Sequence, residues 1–213
     1  MLLQAVNLSR SFGRDDILRD ICLDLAPGQS LAITGPSGSG KSTLLSLLGL
    51  LLEPTSGEVL FEGKTTRTLS DDQRSRLRNR SFGFIFQNPQ LIGSLSVLHN
   101  VLVPARLARK RGLEGEARRL LVTLGLSHRL EHLPHQLSVG QKRRVAVARA
   151  LLLEPVVVFA DEPTNDLDAE RAGQLGELLY QLPGQGRALV LVTHDRGLVG
   201  RADHTVDLSE ARA

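Results

Sequence analysis

One run of nine residues, Gly35-Pro36-Ser37-Gly38-Ser39-Gly40-Lys41-Ser42-Thr43, concentrates the chemistry of this chain. The spacing Gly35-x-x-x-x-Gly40-Lys41-Ser42 is that of a phosphate-binding loop. Its glycines let the backbone turn N–H groups inward around a polyphosphate. Lys41 would reach the β- and γ-phosphates, and the Ser42 hydroxyl would hold Mg²⁺. Such a loop works between a buried strand and a helix N-terminus, whose unpaired donors and partial positive charge complete the cradle. The flanks supply both: an apolar run at 30–34 and a Leu-rich run at 44–52. By itself the motif implies a nucleotide phosphate and leaves a kinase, a GTPase and a transport ATPase undivided.

Other polar residues fall where apolar runs end. Residues 155–160 read as a strand buried on both faces of a parallel sheet. It delivers Asp161 and Glu162 at its C-terminal end, where open α/β sheets gather ligands. Asp161 suits a Mg²⁺ ligand acting through water, and Glu162 suits a base that polarises an attacking water. The plainer reading is a solvated strand end. A second apolar run, 82–86, stops at Gln87 ahead of Asn88-Pro89, and a third, 188–193, stops at His194. His194 either donates to a γ-phosphate or serves structure. At Leu137-Ser138-Val139-Gly140-Gln141 a second loop meets a helix start, which suits an anion and equally a simple helix cap. Phe12, in the polar setting Ser9-Arg10-Ser11-Phe12-Gly13, is either an aromatic plug or a ring that stacks on a nucleobase.

These positions need a scaffold, and the remaining pattern provides one. Residues 2–8 and 18–25 alternate like strands of an antiparallel edge sheet, with Pro27-Gly28 as a turn. A short strand is expected at 58–62 after the stop at Glu53-Pro54. Ser70 and Gln73 have capping-box spacing and open a helix through Arg80 that also carries Arg74, Arg76 and Arg78. A solvated face is the plain reading of that helix; phospholipid headgroups or an acidic partner surface are the alternative. From 95 to about 153 the periodicity is helical and no strand intervenes, and 89–137 reads as an inserted lobe. Within it, 97–111 reads as a helix, and 115–124 places Ala117, Leu120, Leu121 and Leu124 on one face. His128, His132 and His135 lie in this stretch without a matching Cys or acid pattern, so surface histidines are expected. Helices follow at 142–153 and 169–182, the second capped by Asp168 and ended by Pro183-Gly184. A last edge strand is expected at 204–208.

Composition narrows the class. A chain of 213 residues with 41% hydrophobic and 23% charged residues suits one compact domain. A net charge of +3 and 3% aromatic residues argue against nucleic acid. The longest apolar run, 47–52, is far short of the ~18–20 residues that span a bilayer, and no secretory signal follows Met1. The chain is thus expected to be soluble, with any membrane role exercised through a partner. The single cysteine, Cys22, excludes an internal disulfide and fits a reducing compartment. Its alternating apolar neighbours suggest a buried, inert thiol.

The order of the 35–43 loop, Gln87, the 137–141 pentapeptide, Asp161-Glu162 and His194 resembles the ATP-binding subunit of ABC (ATP-binding cassette) transporters. The resemblance covers essentially the whole chain, and the pentapeptide discriminates, because kinases and GTPases with a phosphate-binding loop lack it. It implies an α/β fold with a mostly parallel core sheet, an antiparallel β edge subdomain and an inserted helical lobe. One domain would span 1–213, with its nucleotide-binding core at 1–88 and 138–213 and its lobe at 89–137. The implied ligands are ATP and Mg²⁺. Phe12 would stack on adenine, and residues 35–43 would be the Walker A loop. Gln87 would contact Mg²⁺ or water and couple the site to a membrane subunit. Ser138, Gly140 and Gln141 would touch the γ-phosphate of ATP held by a second copy. Asp161 would be the magnesium carboxylate, Glu162 the general base, Asp168 part of the D-loop that begins at Asn165, and His194 the switch histidine. Val139 departs from the commonest form, which has Gly there, and Asn165-Asp166 stand where near relatives have Gly-Asn. Residues 44–57 and 78–87 look most like the small ATPases of the lipoprotein-release and macrolide-efflux type. The implied partners are a second copy and an integral membrane permease, with no nucleic acid, at the cytoplasmic face of the cell membrane. Two other readings stand: a mechanical signalling ATPase of the cell-division type, and a soluble assembly ATPase.

Overall fold

The computed structural model of the chain describes residues 1–165 and 167–209. Asp166, expected in the turn before a long helix, lies outside the described residues. Strands β1 (Leu3–Phe12) and β2 (Asp15–Leu25) pair antiparallel and lead to β3 (Ser30–Thr34), which runs through the 35–40 loop into helix α1 (Lys41–Leu48). Strands β4 (Ser56–Phe61) and β5 (Lys64–Thr65) complete an antiparallel sheet of order β2-β1-β4-β5. Helix α2 (Asp71–Ser81) leads into β6 (Phe82–Ile85). Helices α3 (Val97–Val101), α4 (Val103–Leu107), α5 (Glu114–Thr123) and α6 (Val139–Leu151) follow. The chain then alternates β7 (Val157–Asp161), α7 (Ala169–Gly184), β8 (Ala188–Val192), α8 (Arg196–Val199) and β9 (His204–Asp207). The second sheet has the order β6-β7-β8-β3-β9, and its pairings are all parallel.

Burial explains this layering. The apolar runs of β3, β7 and β8 are covered on both faces, as parallel strands require. On one side, Leu44, Leu45, Leu47 and Leu48 of α1 pack with Leu3, Leu8, Phe159 and Val190, joining the two sheets. On the other, Leu175 and Leu179 of α7 and Val147 of α6 pack on Val158, Leu189 and Leu191. The opposite side of α6, through Val145 and Ala148, packs with Val97, Val101, Ala117 and Leu121 of the preceding helices. Helix α6 is therefore shared by two cores. Among the described residues no helix is long and apolar enough to cross a membrane.

Several local expectations are corrected. Cys22 is exposed, not buried: the alternation that sends Leu25 into the core turns Cys22 to the opposite face, where Sγ bonds to the Asn7 N–H (3.3 Å) and Oδ1 (3.2 Å). The Leu-rich run after the phosphate loop stays helical only to Leu48. It stops at Gly49, where an added Cβ would lie 2.6 Å from the Phe84 ring. The helix expected at 97–111 divides into α3 and α4, because Pro104 has no N–H to continue the ladder. Helix α7 carries Pro183 within its last turn and ends at Gly184. The Ser70–Gln73 capping box forms as expected. The arginines of α2 are not all solvated: Arg74 pairs with Glu53, and Arg78 donates to the Leu50 carbonyl at 2.7 Å.

Candidate functional site

The parallel strands bring their C-terminal ends to one edge of the sheet, and the polar residues that follow them meet there. Thr34 ends β3 and opens the loop. Gly40 at its far end has φ +97°, and a Cβ there would lie 2.9 Å from Ile17 Cγ2, so glycine permits both the left-handed turn and the close approach of β2. The Lys41 ammonium bends back over the loop and donates to the Gly35 carbonyl (2.9 Å) and the Pro36 carbonyl (2.8 Å). Beside it, β7 delivers Asp161 and Glu162, β8 delivers His194, and β6 delivers Gln87.

These groups line an open cleft of about 700 Å³. Its wall contains Phe12, Gly35, Pro36, Ser37, Gly38, Gly40, Lys41, Ser42, Thr43, Gln87, Asp161, Glu162 and His194. Ser39 is absent from that wall: its side chain is buried under the loop, and its hydroxyl has no hydrogen-bond partner. Phe12 plugs no core, since it is 47% exposed with the Arg10 guanidinium 4.4 Å from its ring centroid. Ile17 and Asn165 also line the cleft. An isolated β-strand isoleucine carries no functional signal in sequence, and Asn165, expected at the start of the D-loop, is not itself an expected lining residue.

The two carboxylates are poised differently. Burial pushes the Asp161 carboxyl above its usual range, and the neighbouring Glu162 charge adds to this; the Ser42 hydrogen bond and the Lys41 charge oppose it. Glu162 has φ +46°, which costs a non-glycine residue about 1–2 kcal/mol, and its N–H donates to the Val192 carbonyl at 2.9 Å. That turn aims the side chain at His194, with Oε1 3.1 Å from Nδ1. Asp161 Oδ1 and Glu162 Oε2 are buried oxygens without a hydrogen-bond partner. An unmet buried acceptor is costly, and a cation or a donor-bearing ligand would satisfy both. The donor set of one carboxylate, the Ser42 hydroxyl and nearby Gln87 fits Mg²⁺, which takes one or two protein oxygens and completes its shell with phosphate and water. Among the described residues no group of three His, Cys, Asp or Glu forms an all-protein metal cage.

Besides Ser39, four predicted site residues lie outside this cleft. Ser138 and Gln141 cap α6 reciprocally, with the Gln141 N–H donating to Ser138 Oγ (3.2 Å) and the Ser138 N–H donating to Gln141 Oε1 (2.9 Å). Gly140 faces Leu167, and Val139 beside it is 55% exposed. Asp168 caps α7 through the Arg171 N–H at 3.0 Å; that bond and the Arg171 charge hold its carboxyl below the usual range. Two further residues act on the cleft indirectly and carry no sequence signal beyond a run of positive charge. Arg143 of α6 donates to the Gln87 carbonyl (3.1 Å), and Arg149 donates to the carbonyls of Pro89 (2.7 Å) and Gln90 (2.8 Å). The helix that starts at Ser138 thus grips the segment that follows β6.

Over residues 18–165 the chain matches the family described as ABC transporter. The chain belongs to this family. Within it the chain is an ATP-binding subunit with the ABC ATPase fold. A lipoprotein-releasing system ATP-binding protein LolD from Xanthomonas euvesicatoria pv. vesicatoria is 46% identical over 202 residues, covering 93% of this chain and 83% of the relative. A LolD 1 from Rhodopirellula baltica is 47% identical over 196 residues, covering 90% and 85%. Among solved structures, a dimeric structure of the bacterial ABC transporter cassette MJ0796 superposes with a TM-score of 0.91 at 33% identity, over 100% of this chain and 97% of that one. A second MJ0796 structure, a dimeric post-hydrolysis state bound to ADP and Pi, gives a TM-score of 0.89.

Proposed function

We propose that this chain hydrolyses ATP as one of a pair of subunits, closing around two ATP molecules to drive a separate membrane permease of the lipoprotein-release type. One observation carries the reading. The orphaned oxygens of Asp161 and Glu162 stand beside Lys41 and Ser42 in an open cleft, while Ser138, Gly140 and Gln141 lie outside it. One copy thus holds a phosphate cradle without its lid, and a second copy would bring the 138–141 helix start to it. The LolD relatives and the dimeric, ADP- and Pi-bound MJ0796 support this.

In the proposed reaction the backbone N–H groups of the 35–43 loop hold the phosphates. Lys41 exchanges the Gly35 and Pro36 carbonyls for phosphate oxygens. Ser42, Asp161 and Gln87 would hold Mg²⁺, which when bound neutralises charge on the phosphoryl oxygens. Glu162 accepts a proton from the attacking water as its oxygen bonds to the γ-phosphorus and the bond to ADP breaks. His194 holds Glu162 in place through the 3.1 Å contact. Phe12 offers its exposed ring to adenine. Asp168 keeps α7 and the turn before it in position. We read 1–88 and 138–213 as the nucleotide-binding core and 89–137 as the helical lobe. A groove of about 310 Å³ lined by Arg78, Phe84, Phe86, Pro104 and Leu153 reaches Gln87 through Phe86, and we take it as the permease seat on the cytoplasmic face of the membrane.

Nucleotide titration tests the cradle: Lys41→Ala should abolish ATP affinity, and wild-type affinity in that variant overturns the assignment. Co-purification from membranes tests the partner. A multispanning subunit is expected, and its consistent absence favours a soluble assembly ATPase instead.

A further inference from the structure

The cations of this chain are not equally partnered. On α2 and α5 most are engaged: Arg74 with Glu53, Arg76 with Asp72, Arg78 with the Leu50 carbonyl, Arg118 with Glu114, and Arg119 with Glu116, which among the described residues leaves the exposed Arg80 alone on α2. The turn that ends α4 is different. Arg106, Arg109, Lys110 and Arg111 crowd into six residues, all are exposed, and none takes part in an ion pair or side-chain hydrogen bond among the described residues. In their midst stands Leu107, 72% exposed, more than any other large apolar side chain among the described residues. The turn itself is built. The Lys110 N–H returns to the Ala105 carbonyl (2.9 Å) and the Arg109 N–H to the Arg106 carbonyl (3.1 Å), with Arg109 at φ +54°. It therefore presents its cations from a closed helix end, not from a loose loop.

We propose that this turn binds an anionic phospholipid surface directly, with Leu107 entering the headgroup boundary and Arg106, Arg109, Lys110 and Arg111 pairing with lipid phosphates. Charge complementarity selects an anionic ligand, and the exposed Leu107 selects one that also has an apolar layer. Long cationic stems can lie along such a boundary while their heads stay with the phosphates. The location agrees: Pro104, in the same short helix, lines the groove taken above as the permease seat, and in this respect alone the inference rests on that reading. The sequence alone points to membrane contact through a partner, with headgroup contact an alternative for the basic helix α2. The structure moves the free cations to the end of α4 and adds a direct contact.

The test is cosedimentation of the purified full chain with vesicles of phosphatidylglycerol and phosphatidylcholine in equal parts, against phosphatidylcholine alone. Wild type should partition to the anionic vesicles at least tenfold better, and the preference should weaken as salt rises above about 0.1 M. Each interfacial cation contributes about fivefold to partitioning, so Arg109→Gln with Arg111→Gln should lower it about 30-fold, and Leu107→Ser should lower it severalfold. The control pair Lys64→Gln with Arg67→Gln removes the same charge from the antiparallel sheet and its flank and should retain wild-type partitioning. Three results overturn the proposal: no preference for anionic vesicles, equal losses in the two double variants, or binding to soluble polyglutamate with none to vesicles. ATP hydrolysis by the same proteins without vesicles reads the proposed function separately.

Discussion

Glu162→Gln isolates one proton-accepting oxygen while leaving its surroundings intact. Glu162 is only 12% exposed at its side chain, with Oε1 3.1 Å from His194 Nδ1 and Oε2 buried without a partner. Glutamine has the same shape, and its amide oxygen can accept from the Nδ1–H as Oε1 does. The other position becomes an NH₂ group, which cannot take a proton from water. A positioned base is worth about 10²–10⁴-fold in rate, or about 3–5 kcal/mol of barrier. Nucleotide affinity should persist, because the 35–43 loop and Lys41 are untouched. Removing the negative charge next to Asp161 also relieves one cause of that carboxyl's raised protonation. The expected triad is therefore wild-type ATP binding by titration, phosphate release lowered at least a hundredfold, and a dimer that persists in ATP by sedimentation. Turnover within about threefold of wild type, with binding intact, refutes the assignment of Glu162 as base.

Two further substitutions probe the site and the helices beside it. Asp161 is held above its usual carboxyl range by burial, so the native state retains a proton that the unfolded chain has lost. Stability then falls as pH rises from the ordinary value of 3.8 through the native one. Asp161→Asn should accordingly raise the melting temperature of the nucleotide-free protein at neutral pH and flatten that slope, while abolishing Mg²⁺-dependent hydrolysis; thermal melts across pH and phosphate release check the two halves. Asn100 is fully buried and donates to the carbonyls of Ile92 (3.1 Å), Leu95 (2.8 Å) and Ser96 (3.1 Å) while accepting from the Ile92 N–H (2.8 Å). Asn100→Ala orphans these groups and should cost about 3 kcal/mol, a drop of about 6–12 °C in melting temperature for a chain of this size, measured by calorimetry.

Local pattern made much of this protein legible before any fold was known. Continuous apolar runs of five or six residues can be satisfied only between two covered faces, so β3, β7 and β8 and the polar residues after them could be read directly. Glycine spacing and the Ser70–Gln73 box are likewise short-range devices, complete within a few residues. Cys22 was misread because alternation reports which residues share a face, not which face is covered. The division of the 97–111 helix turned on Pro104, where one missing donor outweighed the helical period.

Tertiary structure decided what depends on residues distant in the chain. That Glu162 and His194 stand 3.1 Å apart follows from β7 and β8 being neighbours in the sheet, a pairing that no local period encodes. The grip of Arg143 and Arg149 on the segment after β6, and the contrast between the mostly engaged arginines of α2 and the cluster of free cations ending α4, are likewise set by which surfaces pack together. The sequence by itself determined the phosphate loop, the buried strands and the carboxylates at their ends, because backbone geometry and burial impose those residue types locally. Only the packed molecule determined which charges are spent inside it and which remain available to a partner, because ion pairing is a matter of distance in space and not of position along the chain.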